Sequence, residues 1–315
     1  TIQKKLLLLI AVSCLVILIV GGVGVIGLAK NNAAIADIGH NRMPSVNYLL
    51  VIKEAITDLS RNLYTFTAAD RLPSLEKKKA EIEIAYTRTL DAIEALMLGN
   101  PYEIAGIVLE PLQGAGGQRL APRRFYRDLS ELCHRYDISL GLDEVQTSGG
   151  QTGAVFSIDL FDLPYPPQAV ATAKKFGNGV VYMLSSMKDI GVLDSTWGGT
   201  LGDMVRFVQE WQIVEDEKLQ DQVPGKTKRL VAGLEDLARS HADKIANVRG
   251  LGLYQGFTVL GAGNKGRLVD LALEQENLLL LGAGTDSIRL RPPLDVTEAD
   301  IDALMASLSR LLPQL

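Results

Sequence analysis

The run Ile138 to Leu142 is wholly apolar apart from Ser139, and it stops at two acids, Asp143-Glu144. Further on, Lys174-Lys175 opens a glycine-rich loop, Phe176-Gly177-Asn178-Gly179. A short apolar run ending in charge reads as a strand buried in a parallel sheet. Ile104 to Leu109 has the same texture and ends at Glu110-Pro111. Between the two, Phe125, Leu129 and Leu132 recur at helical spacing. Strands alternating with helices predict an α/β domain with a largely parallel sheet. After Trp197 come long helical stretches, then strand-like Val248–Leu253, Leu278–Leu281 and Ile288–Arg291. These predict a smaller α+β domain, closed by a helix from Glu298 to Leu312. The segments are thus 103–200 for the large domain and 201–315 for the connecting helices and small domain.

The first hundred residues have a different texture. Leu6 to Ala29 carries no charge, and a helix needs about 20 apolar residues to cross a bilayer core. It exceeds the ~7–15-residue apolar core of a cleavable signal. The run reads as a transmembrane helix within residues 1–30; an uncleaved signal and a buried core helix are its other readings. Lys4 and Lys5 precede it and only Lys30 follows closely, which favours an inner-membrane anchor with its N-terminus inside. Within 31–98, Leu49, Ile52, Ile56, Leu59 and Leu63 form an amphipathic stripe. Asp70-Arg71-Leu72-Pro73-Ser74 breaks it, with Ser74 as the expected N-cap of a second helix through Ile82, Ala85, Leu90, Ile93 and Leu96. Gly99-Asn100-Pro101 ends that helix and reads as a boundary.

Composition excludes some classes. A net charge of −5 over 315 residues, with no basic stripe, argues against nucleic acid as a partner. Cys14 and Cys133 suit neither a disulfide framework nor a zinc site, and no metal is expected. His40, His134 and His241 are isolated and read as structural or surface residues. Gly261-Ala262-Gly263-Asn264-Lys265-Gly266 lacks the spacing of a phosphate loop and reads as a turn.

An acid at a strand end and a lysine opening a glycine-rich loop are what pyridoxal 5'-phosphate chemistry needs: a partner for the pyridine nitrogen and an amine for the Schiff base. Taken singly, Asp143-Glu144, Lys174-Lys175 and the pair Arg289 and Arg291 read as ordinary surface charges. Their order along one segment reads differently. Residues 103–315 resemble the class III, fold-type-I aminotransferases, in the branch of lysine 6-aminotransferase and 4-aminobutyrate aminotransferase. Glu110-Pro111-Leu112-Gln113-Gly114, Asp143-Glu144-Val145-Gln146, the Lys174 loop, Ser195-Thr196-Trp197-Gly198-Gly199 and Ile288-Arg289-Leu290-Arg291-Pro292 carry the resemblance. It implies that Lys174 is the Schiff-base lysine, a choice over Lys175 that rests on the alignment. It implies that Asp143 pairs with the pyridine nitrogen, that Gln146 lies near the phenolic oxygen and that Thr196 reaches the phosphate of the other subunit. Glu110 would face the substrate and pair with an arginine, and Arg289 would grip a substrate carboxylate. It further implies a homodimer, an amino-acid donor with a terminal amine such as lysine or 4-aminobutyrate, a 2-oxo acid acceptor and a cytoplasmic setting. Ala115 departs from the family's glutamate, and Ser148-Gly149-Gly150-Gln151 from its usual glycine-rich turn.

Residues 1–98 resemble the start of bacterial methyl-accepting chemotaxis proteins with a four-helix-bundle sensor. Lys4-Lys5, the apolar run and Asn41-Arg42-Met43-Pro44-Ser45 carry this likeness. A second span, a linker and a coiled coil would follow in that family; here the aminotransferase-like texture follows. Relatives carry a phosphate-binding turn and a ring-stacking aromatic ahead of the Glu-Pro motif, and residues 1–101 supply neither. Three readings stand: an aminotransferase piece, an inactive fusion or truncated product, and a membrane-anchored sensor fragment.

Overall fold

The computed structural model describes residues 72–100, 103–184 and 200–315. The apolar run 6–29, the first amphipathic stripe, His40 and Thr196 lie outside the described residues. Among those described, no helix is long and apolar enough to cross a membrane, and no group of His, Cys, Asp and Glu could hold a metal ion.

Helix α1 (Leu72–Gly99) begins ahead of Ser74, so Ser74 is not its N-cap; Pro73 fits the first turn, where no amide donor is needed. Tyr86, Thr89, Ile93 and Met97 follow one another at helical spacing and are buried. The chain then enters strand β1 (Gly106–Leu109), a hairpin of β2 (Leu112–Gln113) and β3 (Arg119–Leu120), and helix α2 (Arg123–Arg135). Strands β4 (Ser139–Glu144), β5 (Ala169–Thr172) and β6 (Val180–Met183) complete a sheet of order β1-β4-β5-β6. The first two pairings are parallel, with Leu109 opposite Leu142 and Glu144 opposite Thr172. The last is antiparallel. The sheet is therefore mixed, because the short Lys174–Gly179 loop turns the chain straight back, as only an antiparallel connection can. Expected burial of the first strand holds on one face. Ile107 is buried while Val108 is 71% exposed, since β1 pairs only with β4 among the described strands and one face of it is uncovered.

α1 and α2 pack together. The Tyr86 ring meets Phe125 edge-on at 6.2 Å, and its hydroxyl bonds Asp128 and donates to the Arg124 carbonyl. Glu94 accepts from Arg135 and from the Tyr136 hydroxyl, at 2.7 Å for the latter. α2 buries Phe125, Tyr126, Leu129 and Leu132, the stripe its spacing predicts. The buried Cys133 thiol is pushed up to about 12 by desolvation.

Helix α3 (Leu201–Asp216), capped by Thr200, leads into α4 (Val223–Ser240) and a second sheet. Its strands are β7 (Ile245–Leu251), β8 (Tyr254–Val259), β9 (Leu281–Ala283) and β10 (Ser287–Leu290), in the order β7-β8-β10-β9 and antiparallel throughout. The predicted strand at Leu278–Leu281 is shifted toward the C-terminus; Leu278 and Leu280 instead pack into the core. Helices α5 (Asn264–Glu276) and α6 (Glu298–Leu311) join α4 on this sheet, around Leu234, Phe257, Leu268, Ile288, Leu308 and Leu311. A capping box of Thr297 and Asp300 starts α6 and satisfies two orphan donors reciprocally. The Gly261–Gly266 segment is a turn into α5: Asn264 donates to the Leu260 carbonyl, and the Lys265 amine to Gly284. His134 stacks on Tyr165, and His241 caps the C-terminus of α4.

The β2–β3 hairpin joins the two sheets. Arg249 donates to the Gly117 carbonyl at 2.8 Å and to the Ser287 hydroxyl at 2.6 Å. Gln118 donates to the Leu290 carbonyl, and Gly284 N–H to Ala115. On the far side of the seam Leu253 N–H bonds the Gln151 carbonyl at 2.8 Å. There Gly252, with φ +58, lies so close that a Cβ would stand 2.3 Å from that oxygen.

Candidate active site

Three parallel strands bring their C-terminal ends to one edge. Glu110 follows β1, Asp143 is the penultimate residue of β4, and Lys174 stands just past β5. In open sheets with parallel strands this edge is where ligands bind.

The two acids of β4 have different tasks. Successive strand residues face opposite sides. Glu144 is fully buried and accepts from Ser157 N–H at 2.7 Å, Ile158 N–H at 2.8 Å, and the Ser157 and Thr147 hydroxyls at 2.9 Å. Burial raises its pKa and these donors oppose the rise. Glu144 thereby pins the long crossover from β4 to β5, which contains a single 3-10 turn and no α-helix. Asp143 is half-buried on the opposite side, with one oxygen accepting from Val145 N–H at 3.0 Å.

The lysine turn is held from below. Phe176 is buried among Phe156, Tyr182, Phe207 and Trp211. α3 clamps the turn through Trp211 Nε1 to the Phe176 carbonyl, 3.1 Å, and Arg206 to the Gly177 carbonyl, 2.7 Å. Lys174 is exposed and takes a left-handed backbone, φ 51, which a non-glycine residue adopts at a cost. The Lys175 amine is held below its usual range by desolvation and by Arg291, with Asp295 opposing.

Across the seam stand Arg289 on β10 and Arg291 two residues on, the spacing of one strand face. Arg289 Nε and Nη1 and Arg291 Nε are buried without a hydrogen-bond partner. Desolvation and Arg291 lower the Arg289 pKa, and nearby Glu110 opposes the fall. The Glu110 carboxylate also accepts from Gly114 N–H at 3.2 Å. Behind it, the buried Tyr126 hydroxyl donates to the Pro111 carbonyl at 2.6 Å, fixing the turn that carries Glu110. Arg291 Nη1 donates to Gln146 Oε1 at 3.0 Å, so the second sheet touches the loop after Asp143.

Of the residues singled out in the sequence, Glu110, Asp143, Gln146 and Lys174 lie at or just past the C-terminal ends of the parallel strands, and Glu110 acts on Arg289 through its charge without a hydrogen bond. Thr196 is outside the described residues. Sequence reasoning gave Arg291, Tyr126 and Arg249 no role. The alternation in Ile288-Arg289-Leu290-Arg291 carried a signal for Arg291; the other two act through contacts that no local pattern announces.

The family model for aminotransferase class-III matches residues 51–312. The chain belongs to the class-III aminotransferases. A second model, a four helix bundle sensory module for signal transduction, matches residues 1–100, so both cover 51–100. L-lysine-epsilon aminotransferase of Mycobacterium tuberculosis is 35% identical over 222 residues, covering 68% of this chain and 49% of that protein. 4-Aminobutyrate aminotransferase of Schizosaccharomyces pombe is 30% identical over 235 residues, 71% of this chain and 48% of that protein. Lysine aminotransferase from M. tuberculosis, solved in the internal aldimine form, superposes with a TM-score of 0.70 at 33% identity, over 74% of this chain and 55% of the solved one. The chain spans about half the length of the curated relatives it matches. Class-III aminotransferases use pyridoxal phosphate, and the residues on this edge fit that group. Asp143 offers an acceptor, Gln146 an amide and Lys174 an amine. The unpartnered nitrogens of Arg289 and Arg291 mark a place for an anion.

Proposed function

We propose that this chain carries the part of a pyridoxal-phosphate-dependent aminotransferase site that holds the cofactor ring and the substrate carboxylate. The substrate class is an amino acid with a terminal amine, such as lysine or 4-aminobutyrate, with a 2-oxo acid as acceptor. The placement of Glu110, Asp143 and Lys174 at the C-terminal ends of three parallel strands, together with the unpartnered Nε and Nη1 of Arg289, is the observation that carries this reading.

Bound pyridoxal phosphate supplies an electron sink for the carbon that loses its proton. Asp143 would accept a hydrogen bond from the ring nitrogen and keep it protonated. Lys174 would supply the amine that holds the cofactor and would serve as the general base and acid that moves the substrate proton. Arg289 presents a planar guanidinium that fits a carboxylate bidentately, as a lysine cannot. Against desolvation and Arg291, Glu110 raises the Arg289 pKa through its charge but makes no hydrogen bond to it, so the guanidinium would be left open to a carboxylate. Thr196 is proposed to reach the phosphate of a second subunit, in a homodimer. The test is absorbance titration of the full chain with pyridoxal 5'-phosphate, then borohydride reduction and peptide mapping. The reading expects weak saturable binding and an adduct on Lys174. No adduct defeats it and favours an inactive fusion product; an adduct on Lys175 defeats the assignment of Lys174.

A second element of the reading concerns the N-terminal segment. The match of the sensory module to residues 1–100 supports a membrane anchor through 6–29 with its N-terminus inside. The buried stripe Tyr86–Met97 supports assigning the C-terminal half of α1 to the α/β unit, so that the join lies upstream of it. A reporter fused after Leu98 tests the topology: export supports the anchor, and cytoplasmic reporter activity there removes it.

A further inference from the structure

Gln146 differs from the other polar groups on the sheet edge in being gripped from the opposite sheet. Its Oε1 accepts from Arg291 Nη1 at 3.0 Å. A guanidinium only donates, and a carboxamide has one acceptor end and one donor end. The pairing therefore settles which way the amide points: oxygen to Arg291, Nε2 away from it. The amide is also seated against a backbone. A Cβ on Gly114 would stand 2.2 Å from Oε1 and 3.0 Å from Nε2, so position 114 has room for glycine alone while Gln146 keeps this rotamer. Arg291 is in turn set by its strand: Leu290 is buried beneath it, and the Leu290 carbonyl accepts from Gln118.

We propose that Arg291 is a positioning residue that locks the Gln146 carboxamide with its N–H donors turned away from the second sheet, toward the sheet edge of Asp143 and Lys174. The amide thereby offers that edge a donor and not an acceptor. This rests on the cofactor reading above, but its first test does not. Without Arg291 the amide is free to turn its oxygen to the edge, offering an acceptor there instead. Lysine at 291 is also donor-only and keeps the sense of the amide; methionine fills the space and donates nothing.

The experiment uses the full chain with glutamine side chains labelled by nitrogen-15. The Gln146 amide pair is assigned by its loss in Gln146→Leu. The inference expects a pair of resonances well resolved from the solvent-exposed average, retained in Arg291→Lys and collapsed to that average in Arg291→Met. Averaged resonances in the wild type, or an unchanged pair in Arg291→Met, overturn it. The second arm titrates pyridoxal 5'-phosphate. Arg291→Met and Gln146→Leu should each weaken binding about tenfold, the size of one hydrogen bond to a charged group. The double variant should be no weaker than either single one, and Arg291→Lys should restore most of the loss. Additive losses overturn the inference. Absence of any binding in the wild type defeats the cofactor reading, while the resonances still decide the orientation of Gln146.

Discussion

Side chains of neighbouring strand residues point to opposite sides, so Asp143 and Glu144 can be told apart by substitution. Glu144 accepts four hydrogen bonds in a fully buried place. Glu144→Gln turns one acceptor into a donor that faces donors, and bonds to a charged acceptor are worth about 1.5–3 kcal/mol each. The variant should lose at least about 2 kcal/mol in urea unfolding. Asp143→Asn keeps shape and loses no such network, so its unfolding should stay within about 0.5 kcal/mol of wild type while pyridoxal phosphate binding fails. Equal stability losses in the two would mean that both acids are structural. The lysine pair separates in the same way. Lys174→Ala should abolish the borohydride-trapped adduct and Lys175→Ala should leave it. The acids and lysines were legible as candidates because a charge closing an apolar run is a local signal. Which acid is structural was not, because Ser157 and Ile158 reach Glu144 from a loop with no regular pattern.

Glu276, the last residue of α5, accepts from Arg310 Nε at 2.8 Å and from the Ser307 hydroxyl at 2.9 Å, both on α6. These bonds, Arg310 foremost, hold its carboxyl at about 2 against an ordinary 4.5. A carboxyl depressed in the folded state stabilises fully above its unfolded pKa, and the contribution is lost as pH falls through the folded one. Urea midpoints should therefore decline between about pH 4.5 and 2 less steeply in Glu276→Gln than in wild type. Identical slopes would show that the α5–α6 tie is absent in solution. At the other end of the chain, Ile93 on α1 is 1% exposed. Ile93→Ala should cost about 2–5 kcal/mol if α1 is part of the α/β core, and an unaffected unfolding curve would return α1 to the segment before it. Helices and strand ends were legible because periodicity is written locally. The antiparallel return of β6, the shift of β9 and the open face at Val108 depend on which strands pair, and no single run of residues states that.

For the molecule as a whole, the decisive quantity is apolar surface. α3 buries none of its residues. Leu201 is 80% exposed, and Val205 and Val208 are more than half exposed at the spacing of one helix face. Val181, Tyr182 and Leu184 on and after β6 add to the exposed apolar side chains. Contiguous apolar patches larger than a few hundred Å² mark surfaces that associate. The other face of α3 holds the lysine turn through Phe207, Trp211 and Arg206, so the helix is fixed in place while its apolar stripe faces outward. In the proposed homodimer such a stripe would seat the second subunit; in sequence it follows directly on the segment that contains Thr196. The full chain should therefore self-associate with rising concentration and bind a hydrophobic dye. Val205→Lys with Val208→Lys should reduce both, and should shift the unfolding free energy by no more than about 0.5 kcal/mol per site, because neither side chain lies in the core. Dye binding and association that persist unchanged in the double variant would place the associating surface elsewhere. Loss of folding would show instead that the stripe is buried within the chain.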